Sequence, residues 1–102
     1  MISRMIEELL YYAIRHLHLN EEDVIFYRNY LMSEFNVKAP YDGEINYKSI
    51  DEMIVPDTLV EQFMNYCIND GLSEKEAEAK VTKIFGMLSP IPSKTIETFN
   101  AL

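Results

Sequence analysis

Residues 57–88 read DTLVEQFMNYCINDGLSEKEAEAKVTKIFGML, and this stretch decides the fold. Leu59, Val60, Phe63, Met64, Cys67 and Ile68 recur at intervals of three and four, the period of one face of an α-helix. Asp57 is placed to cap that helix. Gly71 most readily takes the left-handed conformation that closes a helix, so the helix ends near Asp70. Ser73-Glu74-Lys75-Glu76 then has the spacing of a capping box, and Ala77, Val81, Ile84, Phe85 and Leu88 form the stripe of a second helix. Two amphipathic helices joined by so short a turn lie antiparallel. Pro90 and Pro92 each remove a backbone donor and push the preceding residue out of the α region, which stops the second helix near Leu88 or Ser89. Ser93 can cap a further helix from Lys94.

The first half repeats this plan. Ile2, Met5, Ile6, Leu9, Leu10, Ala13, Ile14 and Leu17 mark one helix face, with Ser3, Arg4, Glu7, Glu8 and Arg15 on the other side. Asn20 offers an N-cap, and Glu21, Glu22 and Asp23 suit the positive end of a helix running to about Phe35. The stripe of that helix is Val24, Tyr27, Leu31 and Phe35. Arg28 falls on the same side, so a carboxylate or exposed helix-end carbonyls should meet it. Residues 36–56 lose the period and contain Pro40, Asp42-Gly43 and Pro56. Within them Ser49-Ile50-Asp51-Glu52 has capping-box spacing and predicts a helical turn over residues 50–54.

The fold class is therefore all-α. Two helical hairpins, 2–35 and 57–89, flank the connection 36–56 and pack as a small four-helix bundle, with a fifth, C-terminal helix allowed over 93–102. Tyr12-Ala13-Ile14 before Asn20 parallels Tyr66-Cys67-Ile68 before Ser73. Duplication and convergence on hairpin chemistry both account for that likeness.

A chain of 102 residues makes one domain or a piece of one, burying roughly 65% of its unfolded surface. Its hydrophobic fraction of 48% is that of a folding chain. Seventeen acidic residues against nine basic ones give a net charge of −8, which opposes nucleic acid and anionic membrane as partners. Cys67 is the single cysteine, so no internal disulfide forms, and its place on an apolar face predicts a buried thiol in a reducing cytoplasm. The N-terminus lacks the pattern of a signal peptide, and no apolar run is long enough to span a membrane.

Chemistry-bearing motifs are absent. His16 and His18 point to nearly opposite sides of a helix and predict a solvated helix end rather than a metal site. No Glu-x-x-His, His-Glu-x-x-His, Cys-x-x-Cys, P-loop or glycine-rich nucleotide pattern occurs. The acidic groups at Glu21–Asp23 and at Glu74, Glu76 and Glu78 are first-turn charges. Tyr11, Tyr12, Tyr27, Tyr30 and Tyr66 lie in amphipathic helices and predict packing rather than base stacking. No catalytic, cofactor-binding or metal-ligating residue is assigned.

Two stretches carry a resemblance. Glu22-Asp23-Val24-Ile25-Phe26-Tyr27-Arg28-Asn29-Tyr30-Leu31-Met32, with Thr82-Lys83-Ile84-Phe85-Gly86-Met87-Leu88-Ser89-Pro90-Ile91-Pro92-Ser93 and Phe99, resembles the N-terminal region of the galactose-1-phosphate uridylyltransferases of Gram-positive bacteria. The family has Phe-Asp where this chain has Lys80-Val81, and arginine between the prolines where it has Ile91. The resemblance implies uridylyl transfer from UDP-glucose to galactose 1-phosphate through a histidine of a His-Pro-His sequence. His16-Leu17-His18 precedes the first matched stretch and is not that sequence. Ile96, Phe99 and Leu102 begin another apolar face without a helix stop, so the pattern reads as cut. The leading expectation is an N-terminal scaffold segment, inactive alone, whose partner is the rest of the enzyme. The alternative is a stand-alone acidic helical module that binds a protein, or its own copy, through apolar helix faces.

Overall fold

α1 (Ile2–His16) is the central element of the computed structural model, which describes residues 1–88. It packs against α2 (Val24–Glu34), α3 (Tyr47–Asp51) and α4 (Asp57–Asn69), and α5 (Glu74–Leu88) packs on α4. A 3-10 turn over Glu21–Asp23 leads into α2. No strand occurs among the described residues. The all-α hairpin architecture read from the periodicity is thus what the chain adopts.

The periodicities also place the core. Met5, Ile6, Leu9, Leu10 and Ala13 of α1 are buried with Leu31 and Phe35, Leu59, Phe63 and Cys67, and Ala77, Val81, Ile84 and Leu88. Each large apolar side chain so buried stabilises the fold by roughly 1.5–3 kcal/mol relative to exposure. Phe63 lies among Phe35 and Phe85, with ring centroids 5.7 and 6.2 Å away, and welds α4 to both neighbours. The corresponding residues Ala13 and Cys67 of the two hairpins are both fully buried.

Helix ends follow backbone chemistry. At the end of α4, Gly71 takes φ +105°, its N–H donates to Ile68 O and Leu72 N–H donates to Cys67 O, both at 3.1 Å. Asn36, at φ +56°, closes α2 in the same way, with Val37 N–H on Met32 O at 2.8 Å. The capping box at α5 forms as predicted: Glu76 N–H donates to Ser73 Oγ at 3.1 Å and Ser73 N–H to Glu76 Oε1 at 3.2 Å. Asn20 accepts from Glu22 N–H.

Three local expectations are corrected. The helical turn in the connection spans Tyr47–Asp51, capped by the Asn46 side chain on Ser49 N–H, so Ser49 lies inside the helix it was expected to start. Starting three residues earlier turns Ile50 into the core and leaves Ile54 exposed. Asp57 is the first residue of α4, with Pro56 at its cap, and contributes charge to the helix end rather than a capping bond. Ile68 is at the rim, 41% exposed. The expected turn at Pro90 and Pro92, the Ser93 cap and the helix over 93–102 lie outside the described residues.

Candidate functional site

Glu7, Tyr11 and Arg15 stand four residues apart on α1, so they line one edge of its apolar face. Each is bound across a helix boundary. Arg28 of α2 donates from Nε to Glu7 Oε2 at 2.8 Å and from Nη2 to Glu7 Oε1 at 2.9 Å. Tyr11 donates its hydroxyl to Asp51 Oδ1 at 2.8 Å, and Arg15 Nε donates to the same oxygen at 2.9 Å. Tyr47 packs edge-on against Tyr11 with ring centroids 4.7 Å apart. The expectation that a carboxylate meets Arg28 is fulfilled by Glu7, which the sequence placed on the opposite side of α1.

The electrostatics are those of closed contacts. The two bonds to Glu7 hold the Arg28 guanidinium further above its ordinary pKa. The Tyr11 hydroxyl, and then Arg15, hold the Asp51 carboxyl below the usual carboxylate range. The same bond pushes the Tyr11 phenol up, since ionising it would set two anions against each other.

Between Arg28 and Tyr47 lies a cleft of about 170 Å³, floored by Leu10 and Ile14. Small-molecule sites usually enclose roughly 300–1,000 Å³. A sugar nucleotide exceeds this cleft, and the arginine at its wall is already paired with Glu7. The arrangement fastens α2 and α3 to α1.

The two histidines separate, but not by the helical spacing expected of them, since α1 ends at His16 and His18 lies beyond it at a left-handed φ. His16 Nε2 lies 2.6 Å from Ile50 O, and its ring stacks on Tyr12 at 4.8 Å. A carbonyl can only accept, so Nε2 carries the proton. His16 is therefore a half-buried clasp on α3 rather than the solvated residue expected. His18 is exposed, with a left-handed φ of +60°. Cys67 is buried and its thiol is pushed up by that burial. Among the described residues no group of three His, Cys, Asp or Glu side chains gathers to hold a metal ion. No described helix is long and apolar enough to cross a membrane.

Where the chain departs from the motif pattern, structure takes over. Lys80 Nζ donates to Glu34 O at 3.3 Å and sits 4.6 Å from the centroid of the Phe35 ring, and Val81 is buried. Lys80 joins α5 to the end of α2, and Val81 belongs to the core. Sequence reasoning missed the Glu7–Tyr11–Arg15 edge, although the spacing of four was available. It also missed that Ile25 and Phe26 are exposed on α2.

Along nearly its whole length the chain is similar to curated galactose-1-phosphate uridylyltransferases. It is 31% identical to that of Caldanaerobacter subterraneus over 100 residues, covering 95% of this chain and 19% of the relative. It is 30% identical to that of Fusobacterium nucleatum, covering 99% of this chain and 20% of the relative. The relative from Clostridium acetobutylicum is also 30% identical, over the full chain and 20% of its own length. The resemblance carried by the two motifs thus extends through the sequence, while the chain spans about a fifth of the length of these relatives. No family model matches the chain. No solved structure matches it either.

Proposed function

We propose that residues 1–102 form the N-terminal helical scaffold of a galactose-1-phosphate uridylyltransferase, acting in galactose metabolism in the cytoplasm and doing no chemistry by themselves. The carrying observation is the similarity over 95–100% of this chain to about a fifth of each of three enzymes of that name. The chemistry of the two histidines supports the second half of the reading. Uridylyl transfer through a covalent intermediate needs a nucleophile whose position and protonation are fixed by neighbours. His16 is committed to Ile50 O, and His18 stands exposed at the end of α1. Neither belongs to a His-Pro-His sequence. The scaffold role rests on rigidity: two capped hairpins, a shared core and the Arg28–Glu7 pair fix the relative placement of the helices.

The test is incubation of the purified chain with UDP-glucose and galactose 1-phosphate, with UDP-galactose assayed and the protein mass checked for an added uridylyl group. Silence is expected from the chain alone. A relative in which this chain replaces the matching fifth should be active. Uridylylation of the isolated chain, abolished by changing His16 or His18, would overturn the reading.

A further inference from the structure

α2 carries a surface the fold does not explain. Between Asp23 and Glu34 the only charged residue is Arg28, and it is turned inward onto Glu7. The outer arc is Ile25, Phe26, Asn29 and Ser33, all exposed; Ile25 is 67% and Phe26 65% accessible. The outer faces of two other helices differ: α5 exposes Glu74, Lys75, Glu76, Glu78 and Lys83, and α4 exposes Asp57 and Glu61. A helix apolar on one side and uncharged on the other has the composition of an element covered on both. Ile54 and Val55 are also exposed, but they lie between Glu52 and Asp57 in a connection, not on a helix face.

We infer that the outer face of α2, centred on Ile25 and Phe26, is the seat of the remaining polypeptide of a uridylyltransferase. This rests on the scaffold reading above. If the chain is a fifth of such an enzyme, about four times its own length accompanies it in the same polypeptide. Within α2 itself packing removes no charge from water, with Glu22 and Asp23 exposed at the rim of the face, whereas α4 and α5 would have to desolvate carboxylates and ammonium groups. Length and charge also decide between occupants. Two copies would each bring a net charge of −8 to a patch on the order of a few hundred Å², well short of the roughly 1,000 Å² a stable interface between separate chains needs. Within one polypeptide the same patch suffices, because the second element is held at high effective concentration.

The experiment compares the isolated 102-residue chain with the Caldanaerobacter subterraneus enzyme in which this chain replaces the matching stretch. Hydroxyl-radical oxidation of Phe26 is read by peptide mass spectrometry in both, alongside uridylyltransferase activity. The expected result is an active fusion in which Phe26 oxidises several-fold more slowly than in the isolated chain. Phe26→Glu should then leave the helicity and melting temperature of the isolated chain unchanged and lower the activity of the fusion. An active fusion with Phe26 as reactive as in the isolated chain would sink the α2 inference and leave the scaffold reading standing. An inactive fusion, beside an active parent enzyme, would remove both. Protection of Phe26 in the isolated chain that grows with concentration, together with a dimer mass in sedimentation, would assign the face to a second copy instead.

Discussion

Arg28 on α2 and Glu7 on α1 meet in two parallel hydrogen bonds, 2.8 and 2.9 Å long, with side chains only 28% and 15% exposed. The pair sits at the edge of the core, where the fork of a guanidinium matches a carboxylate and its aliphatic stem covers apolar surface. Such a pair adds register more dependably than stability, because both charges were desolvated to form it. Arg28→Met keeps the stem but leaves Glu7 unpaired and should cost roughly 1–3 kcal/mol, whereas Arg28→Ala adds the lost packing and should cost about 1 kcal/mol more. Urea denaturation of both variants checks this. Equal tolerance of the two would mean that the side chain is merely solvated.

What the sequence disclosed and what it withheld divide along physical lines. Helix faces, caps and stops are local, so Ser73 with Glu76, Asn20 and Gly71 could be read from a few neighbouring residues. Arg28 announced that it needed a partner but not which one, since Glu7 is 21 residues away and its choice depends on how two helices pack. The short helix in the connection was misplaced because Asn46 and Ser49 both offer caps; burial of Ile50 against α1, a tertiary effect, decided for Asn46. The Tyr11–Asp51 contact followed from that choice and was equally invisible.

Stability should fall at both extremes of pH. Asp51 and Glu76 have folded pKa values depressed by hydrogen bonds from Tyr11 and Ser73, so their stabilisation is complete above the ordinary carboxylate range near pH 4 and is lost as pH falls below it. Tyr11 is raised, so its contribution is complete below about pH 10 and is lost as pH rises beyond that. Urea midpoints measured across the range should show both limbs. Asp51→Asn should reduce both, because the same hydrogen bond shifts both groups. An alkaline limb unchanged in that variant would show that Tyr11 titrates independently of Asp51.

Gly71→Ala isolates a backbone effect. A Cβ at Gly71 would meet no atom within 4 Å, so steric crowding is not the issue. The φ of +105° is one that a side-chain-bearing residue adopts only under strain, and forcing it should cost about 1–2 kcal/mol. Thermal melts should register the loss as a lower transition temperature with helical content preserved. No change would mean that the α4–α5 turn re-forms in another geometry.

Cys67 is 1% exposed in the same core as Phe63, and burial pushes its thiol pKa up. Both effects suppress the thiolate that reacts with disulfide reagents. In native protein the thiol should resist an aromatic disulfide reagent, and it should react fully in denaturant. Phe63→Ala removes a completely buried ring at a cost of about 3–5 kcal/mol and should bring reactivity into native buffer by populating open states. Rapid labelling of the unaltered chain would contradict the packing of α4 against α1 and α5.

The two histidines should part company when each is changed alone. His16 donates to Ile50 O at 2.6 Å and stacks on Tyr12, so His16→Ala removes the link from α1 to a carbonyl that then keeps only the Met53 N–H, 3.1 Å away, and opens space beside the ring. The expected loss is about 1–2 kcal/mol. His18 is exposed and holds φ +60°, a conformation glycine adopts without cost, so His18→Gly should be neutral or slightly stabilising. The chain turns at His18 to bring Leu19 into the core, with Leu19 N–H on Ala13 O at 2.9 Å, and that turn is what separates two imidazoles only two positions apart. Chemical denaturation of the two variants gives the comparison. A large loss from His18→Gly together with indifference at His16 would reverse the assignment of which imidazole holds α1 to α3.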